Sequence, residues 1–228
     1  MTTLRDLSGW IENTLGGDAP RVNSLVKLVR GEGLFSSGGR GRNAPLMRPS
    51  DFATAIACSL TTAVPTKAAA EVQTILGLKR AGIAIDYCDG EGFVGHDHCD
   101  QVLGSHDVDF FRDNERPPEL PTFPLTLGGA LEMWAEHFIE HSSDGVSPYD
   151  EIVLRTEPSK QVVMQICNPS WSSWKYVKPN AESQTYAWTL RFEPYEKHSN
   201  QTGREVWTKL DGVALLALAK MAGDNAAS

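Results

Sequence analysis

Apolar residues recur at spacings of three and four in the first part of the chain, which is the period of an amphipathic helix. Over residues 2–16, one face of such a helix collects Leu4, Leu7, Ile11 and Leu15. Gly16 and Gly17 follow, and glycine is the residue that most readily ends a helix. We therefore predict a first helix over residues 2–16.

A second amphipathic helix follows directly. Asp18 suits the N-cap, because its carboxylate can accept from the free backbone N–H groups of the first turn. Pro20 fits that turn, where its missing N–H costs nothing. The apolar stripe consists of Val22, Leu25, Val26 and Val29. We expect this helix to run to about Gly31, with polar and basic residues on the opposite face.

Two more helices are predicted, one capped by Ser50 and one over residues 65–78. Their inward-facing positions are Phe52, Ile56, Ala57 and Leu60 in the former and Ala69, Val72, Ile75 and Leu76 in the latter. Because two helices alone bury too little surface, this second pair completes an N-terminal domain. The alternative is that the pair forms a dimer interface.

The period is lost over residues 80–124, which are rich in Gly, Asp and Pro and predict a loop or linker with one short strand near Ile83–Tyr87. Residues 125–142 return to a helical spacing. Their apolar face is Leu127, Leu131, Trp134 and Phe138.

From Glu151 the period changes to alternation, which predicts an antiparallel sheet of four or five short strands. The strand segments are EIVLRTEP, QVVMQIC, SWKYVKP, TYAWTLRFEP and REVWTKL. Asp211 then caps a last helix, whose apolar face is expected to cover the sheet. The predicted fold class is therefore α+β: a helical domain (1–80), a loop or linker (81–124) and an α+β module (125–228) for oligomerisation, partner binding or ligand sensing.

The polar face of the second helix carries side chains that suit DNA. Arg pairs with a guanine edge, Asn pairs with an adenine edge, and Ser and Lys contact phosphates or bases. The segment SSGGRGRNA (36–44), called the basic loop below, follows at once, and its glycines allow close approach to a phosphate. The candidate DNA-binding residues are Arg21, Asn23, Ser24, Lys27, Arg30, Arg40, Arg42 and Asn43. The alternative is that the basic loop is a solvated linker.

The phrase VRGEGLF, at residues 29–35, resembles the end of a recognition helix in helix-turn-helix proteins, where a phrase like LREAGLL is common. Together with the basic loop, residues 4–49 are similar to winged helix-turn-helix regulators of phage and prophage type. The resemblance implies that residues 1–80 form a DNA-binding domain whose recognition helix spans about 20–31 and whose wing spans 36–44.

Charge is distributed unevenly along the chain. The net charge is −8, but residues 1–48 hold seven bases and four acids, which gives +3. Residues 86–157 hold seventeen acids and three bases, which gives −14. Such asymmetry suggests a basic N-terminal part that contacts a polyanion. The acidic region is then expected to stay away from the polyanion or to contact a protein partner.

Other classes of function find little support in the sequence. No stretch has the roughly 18 consecutive apolar residues of a membrane span, and no signal peptide is evident, so four scattered cysteines predict free thiols in a cytoplasmic protein. The cluster Cys88, His96, His98, Cys99 and His106 lacks the paired spacing of a zinc site. No catalytic or nucleotide-binding motif is present, so neither an enzyme nor a cofactor is predicted.

The expected function is therefore a cytoplasmic, homodimeric transcriptional regulator that binds double-stranded DNA. Two alternative functions remain open. One is a phage DNA-packaging protein similar to a small terminase subunit, which would form a ring of subunits. The other is an adaptor that binds RNA polymerase or a host factor through the acidic region, residues 86–157.

Overall fold

A computed structural model describes residues 2–37, 46–61, 63–88, 124–141, 151–155, 161–167, 185–193 and 207–226. The helices are α1 (Leu4–Thr14), α2 (Ala19–Gly31), α3 (Pro49–Leu60), α4 (Pro65–Leu76), α5 (Leu127–His141) and α6 (Gly212–Ala226). The strands are β1 (Lys79–Cys88), β2 (Glu151–Arg155), β3 (Gln161–Cys167), β4 (Thr185–Glu193) and β5 (Trp207–Asp211). The predicted α+β class is confirmed.

Helix α2 begins at the predicted cap, Asp18, while α1 is shorter at both ends than the predicted residues 2–16 and begins after Thr3. Thr3 and Asp6 form a reciprocal capping box at the start of α1, in which the Thr3 N–H donates to the Asp6 carboxylate at 2.8 Å. Hydrogen bonding from the Thr3 side chain lowers the pKa of Asp6. At α2 the Arg21 N–H donates to Asp18 Oδ1 at 3.1 Å. Helix α2 buries all four predicted apolar residues, whereas α1 buries Leu7, Trp10 and Ile11 and leaves the predicted Leu4 and Leu15 partly buried.

Helix α3 is buried on every side rather than on one face. All ten residues from Asp51 to Leu60 are buried, since α1, α4, α5 and β5 all contact this helix. Alanines at positions 53, 55 and 57 allow neighbouring elements to approach closely. Helix α3 therefore has no apolar face left for a second copy, and the alternative of a dimer interface stays a prediction for the exposed side of α4. Ser50 is not the cap either: the carboxylate of Asp51 accepts from the Arg48 N–H at 2.7 Å.

The turn between α3 and α4 is closed by a glutamate. Glu71 accepts hydrogen bonds from the Thr61 hydroxyl and from the Ala63 N–H, the latter at 2.9 Å. Helix α4 ends at Leu76, two residues earlier than predicted, and buries Val72 and Ile75.

The five strands form one antiparallel sheet in the order β1-β4-β3-β2-β5. Four strands correspond to predicted segments, and the predicted strand SWKYVKP lies outside the described residues. The fifth is β1, which is longer than the strand predicted near Ile83–Tyr87 and pairs along its whole length with β4. Residues 81–88, expected in the loop or linker region, are therefore part of the sheet.

Backbone hydrogen bonds place the start of α5 beside the start of β1. The Arg80 N–H donates to the Leu125 carbonyl and the Leu127 N–H donates to the Leu78 carbonyl, both at 2.9 Å. The predicted apolar face of α5 is completely buried, and Trp134 and Phe138 on it make an edge-to-face ring contact at 4.9 Å.

Helix α6 begins at the predicted cap, where the Ala214 N–H donates to Asp211 Oδ1 at 3.0 Å. It packs mainly against α5 and also contacts β5, so it covers the sheet only in part. Helix α1 reaches the same helix, since Trp10 Nε1 donates to the Ala214 carbonyl at 2.9 Å and the Thr2 hydroxyl donates to the Met221 carbonyl.

Buried apolar side chains from both halves of the chain form a single core. Val22, Phe52, Trp134, Ile152 and Leu218 represent α2, α3, α5, β2 and α6 in that cluster. The end of the predicted N-terminal domain at residue 80 does not coincide with a gap in this core. None of the helices in the described ranges is long and apolar enough to cross a membrane.

Candidate nucleic-acid interface

Helix α2 has one buried face and one exposed face. The buried face is the predicted stripe of Val22, Leu25, Val26 and Val29, which packs against α4 and α1. On the opposite face Asn23, Ser24, Lys27 and Arg30 are exposed, and Arg21 is half-buried. The structure therefore places the five predicted α2 site residues on the side of the helix away from the core.

The exposed face of α2 is basic. The helix contains three basic residues (Arg21, Lys27 and Arg30) and no acidic residue. The nearest acids along the chain, Asp18 and Glu32, lie just outside its two ends. Such a surface attracts a polyanion, and side chains of this kind can contact phosphates and base edges.

Local hydrogen bonding restricts what Ser24 can do. Its hydroxyl donates to the Pro20 carbonyl one turn earlier at 2.9 Å. The hydroxyl proton is therefore engaged, and the Ser24 oxygen remains able to accept from a donor such as a base amino group. Ser24 is suited to accepting a hydrogen bond and is a poor donor to a phosphate.

An apolar residue, Leu28, also belongs to the exposed face of α2. It is 41% exposed, one turn after Ser24. An apolar side chain there can contact a thymine methyl group in the major groove or an apolar group of a protein.

The chain after α2 turns through Gly33, whose φ of 77° lies in the left-handed region that favours glycine. Phe35 and Met47, on either side of the basic loop, are both buried in the core. Of the residues between α2 and α3, the described ones (32–37 and 46–48) contain no strand. Arg40, Arg42 and Asn43 lie outside the described residues, so the wing stays a prediction.

One buried carboxylate accepts hydrogen bonds from both ends of the connection between α2 and α3. Asp51, only 1% exposed, accepts from the Ser36 N–H at 2.6 Å and from the Arg48 N–H at 2.7 Å. Nearby, the Thr54 hydroxyl lies within hydrogen-bond distance of two carbonyl oxygens, that of Ser50 at 2.8 Å and that of Leu34 at 3.0 Å, and can donate its proton to either. Ser36, the first residue of the basic loop, and Arg48, four residues after its end, are therefore both bonded to Asp51 in the first turn of α3.

Sequence reasoning missed Asp51 as a residue of this region. A signal was available, because an acidic residue in the first turn of a helix commonly accepts from the N-cap backbone, here the Arg48 N–H. The second bond, from Ser36, depends on a residue fifteen positions away and has no local signature.

The cysteine and histidine candidates do not form a second site in the described residues. Burial raises the pKa of the Cys58 thiol to about 12, so this thiol stays neutral near pH 7 and belongs to the buried core. His96, His98, Cys99 and His106 lie outside the described residues, and within the described ranges no cluster of three metal-ligating side chains occurs. His137 is half-buried, with its ring against the edge of Phe138.

Comparisons with known protein families, with characterised proteins and with solved structures give no match for this chain.

Proposed function

We propose that this chain is a sequence-specific DNA-binding protein of the winged helix-turn-helix kind, which acts as a homodimeric transcriptional regulator in a bacterium or bacteriophage. The observation that carries the proposal is the division of α2, whose apolar stripe is buried while Asn23, Ser24, Lys27 and Arg30 remain exposed. In this proposal α2 is the recognition helix, and the basic loop contacts the flanking DNA backbone or minor groove.

The size and charge of α2 fit a major groove. An α-helix with its side chains is about 10–12 Å across, and the major groove of B-DNA is about 12 Å wide. Asn23 can bind an adenine edge through two hydrogen bonds, while Lys27 and Arg30 supply positive charge along the same face. Leu28 adds an apolar contact of the kind that recognises a thymine methyl group.

The first test is selection of bound sequences from a randomised duplex DNA pool by the purified full chain at near-physiological salt. An enriched inverted repeat, with half-sites about 34 Å apart, is the expected result for a dimeric reader. Absence of enrichment and of binding would contradict the proposal and would make the exposed face of α2, which includes Leu28, a protein-binding surface. A ring of subunits in solution would favour the packaging alternative instead.

Substitutions on α2 separate the two kinds of contact. We expect Asn23→Ala to cost about 1–3 kcal/mol of discrimination at one base position. We expect Lys27→Ala to weaken binding to every sequence and to reduce the slope of log K against log salt by about 0.9, as for one lost phosphate contact. The matched control is Lys220→Ala, which removes the same charge from an exposed position on α6. Equal effects of Lys27→Ala and Lys220→Ala would show that only the net charge matters.

A further inference from the structure

The exposed face of α2 consists of two neighbouring rows of side chains. Asn23, Lys27 and Arg30 lie four and three residues apart and form a charged row with two positive charges. Ser24 and Leu28 lie four residues apart and form a second row without charge, called the neutral row below. The two rows therefore suit different chemical groups of a ligand.

The neutral row offers no free donor to a phosphate. The Ser24 hydroxyl donates its one proton to the Pro20 carbonyl at 2.9 Å, so donation to a phosphate would require that bond to break. Leu28 has no polar hydrogen at all. Base edges, in contrast, offer a partner to each side chain, because the exocyclic amino groups of adenine and cytosine are donors and thymine carries an apolar methyl group in the major groove.

Leu28 also lies outside the part of α2 that serves the core. The four residues of the buried stripe are each no more than 7% exposed, whereas Leu28 is 41% exposed. In α2, every residue of which is described, it is the only branched aliphatic side chain that is exposed. A surface that bound only phosphates would gain nothing from a leucine at this position, since phosphates are recognised by donors and positive charge.

We propose that the neutral row recognises two base positions of the half-site: Ser24 accepts from an exocyclic amino group of adenine or cytosine, and Leu28 contacts the methyl group of a thymine. This assignment rests on the proposed function and names the base groups that α2 recognises. Four residues of a helix rise about 6 Å, and base pairs follow one another at about 3.4 Å. The amino group and the methyl group therefore lie no more than about two base pairs apart.

The methyl contact is tested on the duplex that the full chain selects from a random pool. Deoxyuridine replaces each thymine in turn, which removes only the methyl group. At one position we expect wild-type binding to weaken about fourfold, the effect of one buried methyl group, and we expect Leu28→Ala to be insensitive to the same replacement. Leu125→Ala is the matched control, because it truncates a leucine that is 69% exposed outside α2, and it should keep the wild-type sensitivity.

The amino contact is tested in the same duplex with analogues that lack only the amino group, purine in place of adenine and 2-pyrimidinone in place of cytosine. Within two base pairs of the methyl position, we expect one replacement to weaken wild-type binding about two- to tenfold more than it weakens binding by Ser24→Ala. Which analogue has this effect identifies the base. Thr74→Ala is the matched control, since the exposed Thr74 hydroxyl of α4 donates to the carbonyl four residues earlier at 2.8 Å, as Ser24 does.

The outcomes separate this assignment from the proposed function. A wild-type chain that binds no duplex would overturn both. A chain that selects a sequence, but in which no thymine methyl is coupled to Leu28, would overturn the assignment alone. The same holds if no amino group within two base pairs of that methyl is coupled to Ser24, or if the control variants lose the same sensitivities.

Discussion

Helices α2 and α3 stand on either side of the basic loop and differ in almost every respect that matters for function. They have nearly the same length, 13 and 12 residues, and each has a proline in its first turn. Yet α3 is buried on every side from Asp51 onwards, while α2 buries one stripe and exposes a basic face. Substitutions in α3 therefore act on the fold, and substitutions on the exposed face of α2 act on whatever binds there.

The polar side chains of α3 also serve the fold, in contrast to those of α2. The Ser59 hydroxyl donates to the Ala55 carbonyl at 3.1 Å, and its oxygen lies 3.0 Å from the Thr14 hydroxyl of α1, which can donate to it or to the Ile11 carbonyl at 2.8 Å. Buried hydroxyls with such partners stabilise contacts between elements. On α2, in contrast, Asn23 and Lys27 are exposed to solvent.

The largest effect on this comparison is expected from Phe52→Ala in α3. Phe52 is completely buried, and truncation of a buried phenylalanine removes apolar contacts and leaves a cavity. We expect the free energy of unfolding to fall by about 3–5 kcal/mol. Urea denaturation measures this change, with the wild-type chain and the variant fitted to the same slope m. A loss below about 1 kcal/mol, the typical cost of an ordinary substitution, would show that α3 is not the packed centre of the molecule.

A smaller effect is expected from Asp18→Ala at the start of α2. This change removes the acceptor of the Arg21 N–H and leaves the apolar stripe in place. Loss of an N-cap typically costs about 1 kcal/mol. Asp18→Asn is the control, because asparagine caps a helix about as well as aspartate. If the two variants lose equal stability in the same urea measurement, the hydrogen bond at the cap is not the cause.

Local features explain how far the sequence predicted these elements. The bounds of α2, its cap and its buried stripe follow from residues a few positions apart, so the spacing alone indicated them. The burial of α3 on all sides depends on neighbours from α1, α4, α5 and β5, which no local period reports. The prediction of one buried face, which includes Phe52 and Ile56, therefore underestimates how much of α3 is buried.

Strand β1 shows the same limit. Its glycine and charged residues weaken the alternation over 79–88, and its partner β4 lies far along the chain, with Ile83 opposite Leu190. In the candidate site, the exposed residues of α2 could be predicted because they are the complement of its stripe. Asp51 could not be assigned to the loop, because its bond to Ser36 is set by the tertiary fold.

The smallest expected effect is the one that tests the comparison most directly. Lys27 is exposed, and alanine has the highest helix propensity, so Lys27→Ala should change the free energy of unfolding by no more than about 0.5 kcal/mol. The same variant is expected to weaken DNA binding. Loss of DNA affinity without loss of stability would assign Lys27 to a binding surface. If stability falls in parallel with affinity, the exposed face of α2 belongs to the structural framework, and the distinction from α3 fails.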